Sequence, residues 1–199
     1  MKKQHFFLLF LLSGIFTYAQ NKLFPQSFFD KKLAQEMLAI GTSNIEGVAS
    51  TKQKTVYGYK APLAKKQLAP EGTLVTLYPL TPYFEEFIKL RKQKENKKTL
   101  VYISDEAYKY RIETKTDAYG RFKFEKLKPG KYFIESILPY VGTYTYQQQT
   151  GTTTTYNGYG AAIASSPYYE TFRSNYDASN RETKIVEIKS DGELLEIKL

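Results

Sequence analysis

The most regular pattern in the chain is an alternation of apolar and polar positions between residues 108 and 137. Tyr108, Tyr110, Ile112, Thr114 and Thr116 alternate with Lys109, Arg111, Glu113 and Lys115. Two-residue periodicity of this kind predicts a strand with one wet face. Asp117 to Gly120 reads as a turn, Phe122 and Phe124 resume the alternation, and Leu127-Lys128-Pro129-Gly130 forms a second turn before a strand from Tyr132 to Ile137. Upstream, Asn44 to Ser50, Thr55 to Tyr59 and Gly72 to Tyr78 read as strands, with Ala61 to Pro70 as a loop. Downstream, Lys184 to Lys189 and Glu193 to Leu199 read as a hairpin across Ser190-Asp191-Gly192. Helical spacing occurs in two places. Ser27 to Ile40 has Ser27 as cap, Gly41 as stop, and an apolar stripe of Leu33, Met37 and Ile40. Pro82 to Asn96 has Thr81 as cap, acidic residues first and basic residues last. Many short strands with only two helices predict a mainly β, antiparallel sandwich with an N-terminal helix and one inserted helix.

One stretch is unlike the rest. From Ser136 to Tyr169 no residue is charged, in a chain that is 25% charged overall. Thr143 to Tyr146 alternates as a strand would, while Gln147 to Gly151 and Asn157 to Gly160 read as turns or loops. Tyr144, Tyr146, Tyr156, Tyr159, Tyr168 and Tyr169 are the candidate interaction residues, because tyrosine offers a flat apolar ring and a polar tip at low entropy cost. The alternative is a long exposed hairpin or loop, from about 138 to 180, held by Tyr–Thr cross-strand pairs. An uncharged strand edge of this kind also suits pairing with another strand.

The N-terminus changes the composition that matters. Lys2 and Lys3 precede an apolar run from Phe6 to Phe16, and Thr17-Tyr18-Ala19 follows with small residues where a signal peptidase reads. A signal peptide over residues 1–19 is expected, with a helical segment over 20–43 and the sandwich over 44–199. Without Lys2 and Lys3, the 29 basic residues fall to 27 against 20 acidic ones, a net charge of +7. The basic residues are dispersed, so solvated faces are expected and not a polyanion site. The chain has no Cys, and its one His is His5, ahead of the expected cleavage point. That leaves no Ser-His-Asp or Cys-His catalysis, no thiolate zinc site and no disulfide. The adjacent carboxylates Glu85–Glu86 and Asp105–Glu106 point in different directions on a regular element, which does not make an acid–base pair. Asp117, Asp191 and Glu193 are too sparse for a calcium loop. Gly158-Tyr159-Gly160 lacks the lysine of a phosphate loop.

The segment Thr116-Asp117-Ala118-Tyr119-Gly120-Arg121-Phe122-Lys123-Phe124, continuing through Leu127-Lys128-Pro129-Gly130-Lys131-Tyr132, resembles the signature of carboxypeptidase regulatory-like domains. These are prealbumin-like (transthyretin-like) β-sandwiches with a Thr-Asp-x-x-Gly turn, an aromatic strand, Leu-x-x-Gly and a strand opening on Tyr. The resemblance covers about residues 44–138 and the C-terminal strands; the helix after Pro82 departs from it. It implies a scaffold grouped with carbohydrate-binding-like folds and commonly non-catalytic. The expected function is an exported module, periplasmic, outer-surface or secreted, with a structural or protein-interaction role. The alternative is carbohydrate binding through the tyrosine-rich run. No cofactor, metal, nucleic acid or transmembrane segment is expected, and the expected partner is a protein or a cell-surface glycan.

Overall fold

The computed structural model describes residues 20–55 and 57–199, so the expected signal peptide lies outside the described residues. In chain order the elements are β1 (Asn21–Leu23), α1 (Lys31–Met37), β2 (Ser43–Val48), β3 (Ser50–Lys52), β4 (Lys66–Leu68), β5 (Leu74–Pro79), α2 (Pro82–Lys94), β6 (Thr99–Val101), α3 (Asp105–Lys109), β7 (Ile112–Lys115), β8 (Arg121–Leu127), β9 (Gly130–Tyr156), β10 (Ala162–Ile188) and β11 (Leu194–Lys198). The protein is mainly β. A four-stranded sheet in the order β10-β9-β5-β7 faces a three-stranded sheet in the order β11-β2-β8.

Alternation along the central strands builds two cores. Leu77, Ile134 and Val186 turn to one side and pack with Ile45, Phe122, Phe124 and Ile197 of the three-stranded sheet. Tyr78 and Phe133, one position along from Leu77 and Ile134, turn to the other side, where Tyr83, Phe84 and Phe87 of α2 cover them with Phe29 and Ala34. The four-stranded sheet is therefore buried on both faces, and the helices form a third layer. On that layer Arg91 of α2 stacks on Phe87, 4.1 Å from the ring centre, and pairs with Glu135 of β9. Arg181 of β10 pairs with Glu95 at 2.7 Å, which ties α2 to the two longest strands.

The resembling motif is accounted for residue by residue. Thr116 donates its hydroxyl to Pro70 O at 2.6 Å and accepts from Thr73 N at 3.1 Å. Asp117 Oδ1 accepts from the backbone N of Tyr119 and of Arg121, both at 2.8 Å, and Oδ2 takes Arg121 Nε at 2.7 Å. Gly120 sits at φ +70°, where a Cβ would lie 2.9 Å from Ala49 O. Leu127 and Tyr132 are buried, and the Tyr132 hydroxyl donates to Lys128 O at 2.8 Å. Burial pushes that hydroxyl's pKa up to about 12, so it stays a donor.

Several sequence expectations are corrected. The residues from Tyr108 onward do not start a strand. Ser104 Oγ accepts from Ala107 N and caps the short helix α3, and extended backbone begins at Ile112. The acidic pair Asp105–Glu106 belongs to that helix's first turn, where the dipole favours negative charge. The first helix is shorter than expected, because Asp30 and not Ser27 is its cap. Ser27 and Gln26 instead donate backbone N–H groups to Glu86, at 2.8 and 3.0 Å. Ile40 is left exposed. Gly41 is no left-handed stop: it lets the chain pass β8, where a Cβ would sit 2.1 Å from Leu127 O. Thr55 and Tyr59 belong to no strand: Thr55 N donates to Tyr59 O at 2.7 Å and Gly58 N to Thr55 O at 2.9 Å, and the expected loop contains β4. Finally, β10 and β11 are not a hairpin. Ile197 and Leu199 are needed in the inter-sheet core, so β11 crosses over and pairs parallel with β2, making that sheet mixed and not purely antiparallel.

Candidate functional site

β9 and β10 run 27 residues each, and only the first third of β9 and the last third of β10 belong to the sandwich. β5 pairs with β9 as far as Ser136. Beyond that point β9 and β10 pair only with each other, to Tyr156 opposite Ala162. At about 3.3 Å per residue, the ribbon beyond Tyr140 extends on the order of 50 Å. Its tip is the same turn as the Thr-Asp-x-x-Gly one. Asn157 Oδ1 accepts from Tyr159 N and Ala161 N at 3.0 and 2.9 Å, and Gly160 lies at φ +79°. The run expected to turn at Gln147 to Gly151 is instead continuous strand, interrupted only by a register shift opposite Tyr168 and Tyr169.

The root of this arm is clamped. Gln67 donates to Val141 O and accepts from Val141 N, both at 2.9 Å. Gln53 does the same with Thr143, at 2.8 and 3.1 Å. Two side-chain amides thus stand in for a neighbouring strand on the free edge of β9. On β10, Asn180 donates to Thr51 Oγ1 and Lys52 O at 2.8 Å, and Glu182 accepts from Thr51 at 2.6 Å and Lys60 at 2.7 Å. The β3–β4 ribbon holds both strands at the point where they leave the sandwich.

One face of the arm is aromatic. Tyr140, Gly142, Tyr144 and Tyr146 alternate on β9, opposite Ala178, Tyr176, Ser174 and Phe172 of β10. The Tyr176 ring occupies the space that Gly142 leaves: a Cβ there would be 2.2 Å from the ring. The rings follow one another outward from the core. Centroids are 6.4 Å apart for Tyr140–Tyr176, 6.0 Å for Tyr176–Tyr144, 5.9 Å for Tyr144–Tyr146 and 5.7 Å for Tyr146–Phe172. Tyr140 is 7% exposed, whereas Tyr144 and Tyr146 are 50% and 43% exposed, so the row begins in packing and ends in solvent.

Of the six expected interaction residues, the fold brings together Tyr144 and Tyr146. Tyr156 lies near the tip and Tyr159 is 97% exposed in the turn itself. Tyr168 and Tyr169 are consecutive on β10 and so face opposite sides of the ribbon. Phe172 and Tyr176 complete the row and lie beyond the uncharged run, which is why composition alone passes them over. The signal available was the spacing Tyr140-x-Gly142-x-Tyr144-x-Tyr146. The arrangement offers flat ring faces and hydroxyls, with no carboxylate pair opposed across it.

A second concavity, of about 1020 Å³, opens at the sandwich near Glu46, Lys123, Asp117 and Arg121. Four of its charged lining residues are held in ion pairs. Lys123 lies 3.0 Å from Glu46 and from Glu125, whose hydrogen bonds raise its pKa, and Arg121 is held by Asp117. Its aromatic lining residue, Phe122, is buried. Among the described residues no group of three or more His, Cys, Asp or Glu is arranged to hold a metal, and no helix is long and apolar enough to cross a membrane.

No protein-family model matches the chain, and no curated protein matches it in sequence. A solved chain from Pseudomonas aeruginosa, named a "putative carbohydrate binding protein", is similar in fold. The TM-score is 0.54 at 17% identity, over 89% of this chain and 100% of that one.

Proposed function

We propose that this chain is an exported, non-catalytic β-sandwich module of the prealbumin-like, carboxypeptidase regulatory-like type, and that it binds carbohydrate on the aromatic face of its arm. The observation that carries the reading is the row Tyr176–Tyr144–Tyr146–Phe172, partly exposed and spaced at about 6 Å. Pyranose rings present apolar C–H faces that stack on tyrosine, while hydroxyls and side-chain amides take the sugar's hydroxyl groups. A row is suited to a chain of sugar units lying along the arm. The name carried by the Pseudomonas aeruginosa neighbour points the same way, as does the resemblance of Thr116 to Tyr132. Absence of His and Cys after residue 19 supports a binding role over catalysis. The Lys2–Lys3 and Phe6–Phe16 pattern supports export, which N-terminal sequencing of the protein recovered outside the cytoplasm checks: it should begin near Gln20.

The test is retention on a panel of insoluble polysaccharides together with a glycan array. Wild-type protein should be retained on at least one glycan class. Tyr144→Ala and Tyr146→Ala should each weaken retention about tenfold, at about 1–1.5 kcal/mol per stacked ring. Wild-type protein that binds no glycan on either panel, or alanine variants that bind as well as wild type, would overturn the reading.

A further inference from the structure

The arm has an edge that the fold leaves open, and the open edge is self-complementary. Val141 and Thr143 turn both backbone groups away from β10, towards Gln67 and Gln53. In an antiparallel pair, opposite residues share this orientation. Asp177 and Asn175, their partners across the ribbon, therefore turn their N–H and C=O groups away from β9. So do Thr171, Arg173 and Ser179, at alternate positions along β10. β10 is the last strand of its sheet, and among the described residues no strand or side chain reaches this edge between Tyr169 and Ser179. The corresponding edge of β9 is capped at its root by two glutamines; this one is not. Pro167, which has no N–H and falls on the same alternation, ends the run.

An exposed edge in a two-stranded ribbon is a template for a further strand, and an isolated ribbon is marginally stable without one. The charges say which strand fits. Arg173 and Asp177 are exposed, form no ion pair among the described residues, and lie on the face opposite the aromatic row. When two copies pair antiparallel about a twofold axis at Asn175, Arg173 of each copy stands directly opposite Asp177 of the other. A register centred on Arg173 or on Asp177 would oppose like charges, so the Asn175 register is selected by attraction and its neighbours are disfavoured by repulsion.

We propose that the arm joins two copies of this chain edge to edge, β10 against β10, in the register centred on Asn175. The contact is isologous and closes on itself, which gives a dimer and not a fibre. On the other face the same register sets Phe172 opposite Ala178 and Ser174 opposite Tyr176 of the second copy. The two aromatic rows then share one face of a four-stranded sheet.

Sedimentation velocity on the purified protein, from about 1 to 100 µM, tests this. A dimer is expected. Arg173→Asp and Asp177→Arg should each weaken it about tenfold or more, and the combined swap should restore it. The chain contains no cysteine, so Asn175→Cys can be read by mild oxidation. It should give a disulfide-linked dimer, because a hydrogen-bonded antiparallel pair holds Cα atoms about 5.5 Å apart. Thr171→Cys, which would face Ser179, should not. A wild-type monomer throughout this range, whatever else the edge binds, would overturn the proposal. So would single reversals that leave the dimer intact, a double swap that does not restore it, or equal cross-linking at both cysteines. Circular dichroism of each variant confirms that the fold is retained. Because Arg173 and Asp177 face away from the rings, glycan retention should survive in a monomeric Arg173→Asp variant, so failure of one reading is distinguishable from failure of the other.

Discussion

Gly142 and Gly41 carry the same residue type for different reasons, and their substitutions should differ accordingly. A Cβ at Gly142 meets the Tyr176 ring, a side chain that can swing out into solvent. Gly142→Ala should cost about 1–2 kcal/mol and break the aromatic row at Tyr176. A Cβ at Gly41 meets backbone, with Leu127 O only 2.1 Å away. That strand end cannot retreat without opening the sheet, so Gly41→Ala should cost about 3 kcal/mol or more, read as a lowered midpoint in chemical denaturation. Asp117 gives a pH prediction. Desolvation pushes its carboxyl upward, but hydrogen bonds from Arg121 and Tyr119 outweigh this and hold its pKa below the usual value. The stabilisation is present above the unfolded carboxylate pKa and is lost as pH falls through the folded one. Asp117→Asn should therefore flatten the loss of thermal stability on the acid side, while leaving the neutral-to-basic side unchanged in slope.

Among the elements, the β3–β4 ribbon matters to the arm more than its length suggests. Gln53 and Gln67 each satisfy a backbone N–H and C=O that β5 no longer reaches. Replacing both by alanine should speed amide exchange at Val141 and Thr143 about tenfold, at about 1 kcal/mol per lost bond, while amides of Leu77 and Ile134 stay protected. Elements whose pattern and turn chemistry agreed were legible in the sequence: Phe122 and Phe124 between two turns, and α2 behind Thr81-Pro82. Tyr108 was not, because a cap at Ser104 competes with the alternation around it and wins locally. Nor was the pairing of β11, since a turn at Asp191-Gly192 fits a crossover as well as a hairpin, and only the need for Ile197 in the core decides between them. The aromatic row was half legible. Tyr144 and Tyr146 fall on one strand, but Phe172 and Tyr176 join them only through a register between positions about 30 residues apart, which composition does not encode.

Across the whole molecule, the sandwich is the base from which the arm projects, and the proposed binding face lies on the arm. The third layer reinforces the base: α2 covers Tyr78 and Phe133, and the Arg91–Glu135 and Arg181–Glu95 pairs fix it to the two strands that become the arm. The row of rings is thereby anchored at Tyr140 in packed structure and presented at Tyr144, Tyr146 and Phe172 to solvent. Because those three side chains are at least one-third exposed, removing them takes little from the core. The most direct measurement is therefore retention of the Tyr144→Ala/Tyr146→Ala/Phe172→Ala variant on the polysaccharide that holds the wild-type protein, with melting temperatures recorded alongside. Binding through the arm predicts that retention disappears while the melting temperature moves by no more than a few degrees. Undiminished retention by the folded triple variant would contradict it.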